Sequence, residues 1–162
     1  MLSIGKLVAG AEQYYLSTVA SGLEEYYTGA GEARGHWLGS AASELELSGE
    51  VGADALAAVL RGVSPLDGTS LSGRSVPPEK RVAGFDVTLS APKSVSLLYA
   101  LGPDAVSKAV RQAHDDAVSD AISYLEAHVA TARRGAGGKR STGTSGLLAA
   151  GFCHRTSRAG DP

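Results

Sequence analysis

Apolar and polar positions follow two rhythms along this chain. From Phe85 to Ser90 they alternate strictly, with Phe85, Val87 and Leu89 on one side and Asp86, Thr88 and Ser90 on the other, the period-two pattern of a β-strand. From Asp104 to about Val129 the residues Val106, Val110, Ala113, Ala117, Ala121, Leu125 and Val129 step by three or four, which predicts one long amphipathic helix. Leu2 to Val8 and Gly35 to Gly39, around Trp37, read as short strands, and Asp54 to Arg61 as a short helix with Leu56, Val59 and Leu60 inward. Ala9 to about Tyr27 contains helical material interrupted near Gly22, whose flexible backbone weakens a continuous helix. Ser90 and Pro92 mark a helix start, because Ser caps and Pro suits a first turn, and Ser94 to Leu101 continues it. Gly146 to His154 is an apolar run suited to a buried strand. Gly62 to Lys80, rich in Pro, Gly and Ser, predicts an irregular surface loop, and Arg133 to Thr144 a loop or hairpin tip.

Strands and helices mix here without the regular βαβ alternation of a parallel sheet, so the fold class expected is α+β, with a mainly antiparallel central sheet flanked by helices. At 162 residues and 43% apolar, one domain with its own core is expected. No internal repeat is visible.

Composition narrows the function classes. A formal net charge of -2 gives no global electrostatic footprint for nucleic acid, so any such contact must be local. The cations do cluster: Arg133, Arg134, Lys139 and Arg140 fall within eight positions, and Arg155 and Arg158 follow. A solvated basic hairpin explains that cluster as well as a DNA contact does. The single cysteine, Cys153, cannot form an internal disulfide, and the N-terminal apolar run is too short for a signal peptide or a membrane span. A cytoplasmic protein without membrane insertion is therefore expected. The stretch GAGGKRST is not a phosphate-binding loop, since Arg133 stands where the first glycine is required and Arg140 where Ser or Thr is required.

Four of the six tyrosines, Tyr14, Tyr15, Tyr26 and Tyr27, lie within fourteen positions as two adjacent pairs. Neighbours on a helix diverge by about 100°, so one hydroxyl of each pair at most faces a given site. Amphipathic aromatics on a helix surface are the plain explanation, but tyrosine is also a covalent nucleophile. Attack on a phosphodiester requires charge neutralisation, which a metal ion held by histidine supplies. Of His36, His114, His128 and His154, the second and third fall on the long helix as solvated or partly buried residues. His154 ends the apolar strand, where it meets the polar Arg155-Thr156-Ser157-Arg158. Asp86, mid-strand, is an ordinary surface carboxylate if its face is solvated. If that face lines a cleft, it orients a metal-bound histidine or accepts a tyrosyl proton.

Together these residues resemble the conjugative relaxases of the mobilisation F type, within the HUH endonuclease superfamily. The resemblance rests on MLSIG at the start, the two tyrosine pairs, Trp37 followed by ELELSGEV from Glu44 to Val51, FDVTLSAPKSVSL from Phe85 to Leu97, and HRTSRAGDP from His154 to Pro162. It implies an enzyme that nicks and rejoins single-stranded DNA at a transfer origin, leaving a 5′-phosphotyrosine and a free 3′-hydroxyl. Tyr14 would be the first nucleophile, Tyr15 its substitute, and Tyr26 or Tyr27 the nucleophile of a second transfer. Asp86 would assist the tyrosine and the metal ligands, and His154 would be the first of three histidines holding a divalent ion, Mg²⁺ or Mn²⁺.

Lys93, Arg133, Arg134, Lys139, Arg140, Arg155 and Arg158 are the candidate DNA contacts. Accessory relaxosome proteins and the coupling protein of a type IV secretion system would be further partners. In the family the motif runs on past Asp-Pro into a strand carrying His-x-His, and a helicase region follows. The resemblance therefore implies that residues 1–162 are the N-terminal portion of a relaxase domain with an incomplete metal site. A catalytically inactive module that binds single-stranded DNA, or a gene remnant, is the alternative.

Overall fold

The computed structural model describes residues 1–8, 33–71, 81–135 and 139–153. The expected mixture is present: helices combine with antiparallel strand pairs in an α+β arrangement. The described strands form three two-stranded pieces rather than one continuous sheet. In chain order the elements are β1 (Leu2–Val8), β2 (Ala33–Leu38), α1 (Ala41–Glu44), α2 (Ala53–Leu60), β3 (Val82–Leu89), α3 (Lys93–Leu101), α4 (Asp104–Val129), β4 (Thr131–Arg134), β5 (Arg140–Gly143) and β6 (Ala149–Cys153). The expected helix over Ala9 to Tyr27 lies outside the described residues.

The chain divides into two units, Met1–Gly5 with Phe85–Leu147, and Lys6–Gly84 with Leu148–Pro162. In the second unit, β2 pairs antiparallel with β6, His36 opposite Gly151 and Leu38 opposite Ala149. Between Ala33 and His36 the register slips, the signature of a β-bulge. Gly35 sits in that bulge, and the Phe152 ring occupies the space its side chain would need. The other edge of β2 is held by Trp37 N–H donating to Gly49 O (3.0 Å) and Val51 N–H to Gly35 O (2.8 Å). Val51, Leu56 and Leu60 are buried, with Leu7, Trp37, Ala53, Ala150 and Phe152 packed against them. Burying each aliphatic chain is worth about 1.5–3 kcal/mol, so this cluster holds α2 to the strands. Leu56 and Leu60 point inward as the helical pattern predicts, but Ala57 is buried in place of Val59, which is only half-buried.

The segment after α2 is more ordered than its composition suggests. Ser64 N–H donates to Thr69 O (2.8 Å), Leu71 N–H to Gly62 O (2.9 Å), and the Asp67 carboxylate accepts from both the Thr69 amide (3.1 Å) and the Thr69 hydroxyl (2.8 Å). Such an Asx turn gives the backbone local partners without a ladder. Residues 72–80 of the expected loop are outside the described set.

In the first unit, α3 packs on α4, whose boundaries match the predicted helix. No α4 residue is buried, and Val106 and Val129 of its apolar stripe are 37% and 57% exposed. Ser90 does not cap α3. Its N–H donates to Met1 O (2.9 Å) and its carbonyl accepts from the Met1 ammonium (2.6 Å), so both its main-chain groups extend the strand pair, and Pro92 takes the N-cap position. Leu2, Leu89, Val95, Val110, Ala117 and the half-buried His114 line an open apolar groove of about 470 Å³.

Candidate nucleic-acid site

β3 pairs with β1, and the contacts show the register. Met1 bonds to Ser90, and a Cβ built on Gly5 would lie 4.0 Å from that of Asp86. As the β1 number rises the β3 number falls, so the pair is antiparallel, with Ser3 opposite Thr88. Directly opposed residues share a face. One face therefore carries Ser3, Gly5, Asp86 and Thr88, and the other Leu2, Ile4, Val87 and Leu89. The apolar face is open to solvent, with Leu2 and Ile4 54% and 62% exposed. Phe85, on the same side of β3 as Val87, is 61% exposed. Asp86 is half-buried, with Ser3, Gly5 and Thr88 exposed around it. Gly5 leaves the carboxylate without a side chain across from it, and among the described residues nothing else comes within 4 Å of the Gly5 Cβ position. A carboxylate at the middle of a shallow polar floor can accept a proton from a group brought over it.

The predicted cationic tip is a two-stranded ribbon. β4 and β5 pair antiparallel, Thr131 opposite Gly143, Ala132 opposite Thr142, Arg133 opposite Ser141 and Arg134 opposite Arg140. Arg133, Lys139 and Arg140 are exposed. Alternation sets Arg133 and Arg140 on opposite faces, so the ribbon offers positive charge to both sides. Its base is fixed to the end of α4: the Thr144 amide and hydroxyl both donate to Ala130 O (3.1 and 3.0 Å), and Leu147 N–H donates to Glu126 Oε1 (2.9 Å). Lys93 opens α3 and is exposed, with no acidic residue in that first turn. The helix dipole adds positive potential there.

The structure thus brings Asp86, Lys93 and the four ribbon cations into one unit. Tyr14, Tyr15, Tyr26, Tyr27, His154, Arg155 and Arg158 lie outside the described residues, although β6 runs to Cys153, immediately before His154. Among the described residues no group of three or more His, Cys, Asp or Glu could hold a metal ion, so these residues do not make a metal site by themselves. No described helix is long and apolar enough to cross a membrane.

Gly5 and Tyr124 lie outside the residues expected from the sequence to matter, although a glycine interrupting a strand pattern marks close approach of another group.

Comparison with known proteins adds lineage to this geometry. The family model described as TrwC relaxase matches residues 8–162. The multifunctional conjugation protein TraI of Escherichia coli is 36% identical over 160 residues, which is 99% of this chain and 8% of that protein, and the TraI of strain K12 is 34% identical over 164 residues. Among solved structures, the metal-bound conjugative relaxase TrwC in complex with oriT DNA matches with a TM-score of 0.80 and 34% identity, covering all of this chain and 53% of that one. TrwC complexed with a 27-mer DNA comprising the recognition hairpin and the cleavage site matches with a TM-score of 0.78 and 33% identity, over 52% of that chain. The chain therefore spans about half of these structures and less than a tenth of the TraI proteins.

Proposed function

The chain belongs to the TrwC relaxase family, and on that premise we propose that it is the N-terminal portion of a conjugative relaxase domain that nicks and rejoins single-stranded DNA at a transfer origin. The observation that carries the chemistry is Asp86, a half-buried carboxylate on an exposed polar strand face with no side chain opposite it. In this reading the Tyr14 oxygen attacks the scissile phosphorus and the bond to the 3′-oxygen breaks. The products are a 5′-phosphotyrosine and a 3′-hydroxyl, so the phosphoester is conserved and the step reverses. Asp86 receives the tyrosyl proton or orients a metal-binding histidine. Tyr15 substitutes for Tyr14, and Tyr26 or Tyr27 serves the second transfer.

TrwC has been solved in metal-bound, metal-free and copper-bound forms, which supports a divalent ion in the family. His154 is the residue of this chain that would bind it, with Mg²⁺ or Mn²⁺ the ions expected. When bound, such an ion would supply charge neutralisation at the phosphate. The DNA strand would run along Lys93 and the cationic ribbon, and would be contacted also by Arg155 and Arg158. Accessory relaxosome proteins and a secretion coupling protein are the protein partners expected of such an enzyme, in the cytoplasm.

The test is a labelled single-stranded origin oligonucleotide incubated with the protein and Mg²⁺ or Mn²⁺. A covalent adduct that disappears in Tyr14→Phe and forms about 10²- to 10⁴-fold more slowly in Asp86→Asn supports the reading. A mobility shift with no adduct would instead identify a module that holds single-stranded DNA without cleaving it.

A further inference from the structure

Tyr124 and His128, one turn apart near the end of α4, stack with ring centroids 4.2 Å apart and planes 21° from parallel. His128 Nδ1 lies 2.8 Å from Tyr124 O, and because a carbonyl only accepts, Nδ1 carries the proton and donates. That bond pins the imidazole against the phenol ring. Stacking covers one face of each ring, yet Tyr124 is 63% exposed, so the pair is both fixed in geometry and open to solvent.

Its surroundings differ along the helix. On the C-terminal side, the bonds from Thr144 to Ala130 and from Leu147 to Glu126 clamp the ribbon to the same two turns of α4. At 1.5 Å per residue, Tyr124 lies only about 9 Å along the axis before Ala130. On the N-terminal side stands Asp120, exposed and one turn before Tyr124, whose charge repels phosphate. At about 100° per residue the two rings fall on the face of α4 turned away from Glu126. The ribbon, however, carries Arg133 and Arg140 on opposite faces, so a strand laid over the rings and past the helix end would meet a cation there, with its bases over the rings. Aromatic faces accept any base, and each stack contributes affinity without sequence preference.

We propose that the Tyr124–His128 pair is a base-stacking platform for single-stranded DNA, working with the cationic ribbon β4–β5. The proposal rests on the reading of the ribbon as a DNA contact. Anisotropy of a labelled single-stranded oligonucleotide, and of the same strand with abasic sites, tests it on the 162-residue protein at fixed salt. Tyr124→Ala should weaken binding of the normal strand about 5- to 150-fold, and Tyr124→Phe, which keeps the ring, should restore it. The abasic strand should bind the unaltered protein more weakly and lose nothing further in Tyr124→Ala, with far-ultraviolet circular dichroism confirming an intact α4. If Tyr124→Ala binds both strands as the unaltered protein does while Arg133→Ala with Arg140→Ala weakens both, the platform is wrong and the ribbon reading stands. If the arginine variant leaves binding unchanged, or the unaltered protein binds neither strand, the ribbon reading fails and the platform falls with it.

Discussion

Gly35 shows how much one missing side chain can matter. The bulge in β2 brings its backbone under the Phe152 ring, and a methyl group there would meet that ring at clashing distance. Phe152 belongs to the packed cluster around Val51, Leu56 and Leu60, so the strain reaches the core. Gly35→Ala should destabilise this unit by about 1–3 kcal/mol, seen as a lower urea midpoint when Trp37 fluorescence is followed. Asp67 makes a gentler case. The Thr69 amide, then the Thr69 hydroxyl and Ser64, hold its carboxyl below the ordinary value of 3.8. A carboxyl whose pKa is depressed by folding adds stability that is complete above the unfolded value and is lost as pH falls through the folded one. The Asp67 side-chain carbon should therefore titrate below 3.8 by NMR. Asp67→Ala should lower the thermal midpoint at neutral pH but change little at a pH below that titration.

Among the elements, local rules succeeded where local rules decide. The long helix appears over Asp104–Val129 because its apolar residues recur at helical spacing, and β3 appears because its residues alternate. Where distant residues compete, local rules failed. Ser90 has the chemistry of a cap, but Met1, eighty-nine positions away in sequence, takes its main-chain groups. Alternation sorted Asp86 from Phe85 and Val87, yet it could not show that the apolar side is open to solvent as well, since exposure depends on what other elements cover. The cations of the tip were legible as a cluster. Their mounting was not, because Thr144 looks like any loop threonine until its two bonds to Ala130 are seen. Thr144→Val removes the hydroxyl bond, worth about 0.5–1.5 kcal/mol. Amides of β4 and β5 should then exchange faster by NMR, while those in the middle of α4 keep their rates.

At the scale of the whole molecule, the formal charge of -2 contrasts with a ribbon that gathers Arg133, Arg134, Lys139 and Arg140. If DNA is held by those four charges, the logarithm of affinity should fall against the logarithm of salt concentration with a slope of about -3 for a single strand. Arg133→Ala should make that slope shallower by about 0.7. A protein binding through a general positive field would give a steeper line that one substitution hardly alters. The chain also has a single cysteine, Cys153, half-buried on β6. With Cys153 replaced by serine, a cysteine introduced at Gly5 would be the sole thiol, directly across the strand pair from Asp86, where it has room. An oligonucleotide carrying a disulfide tether at one chosen nucleotide would become trapped there only when that nucleotide visits the carboxylate. The gap opposite Asp86 is thus a chemical ruler, able to report which position of a DNA strand, if any, comes to rest against that carboxylate.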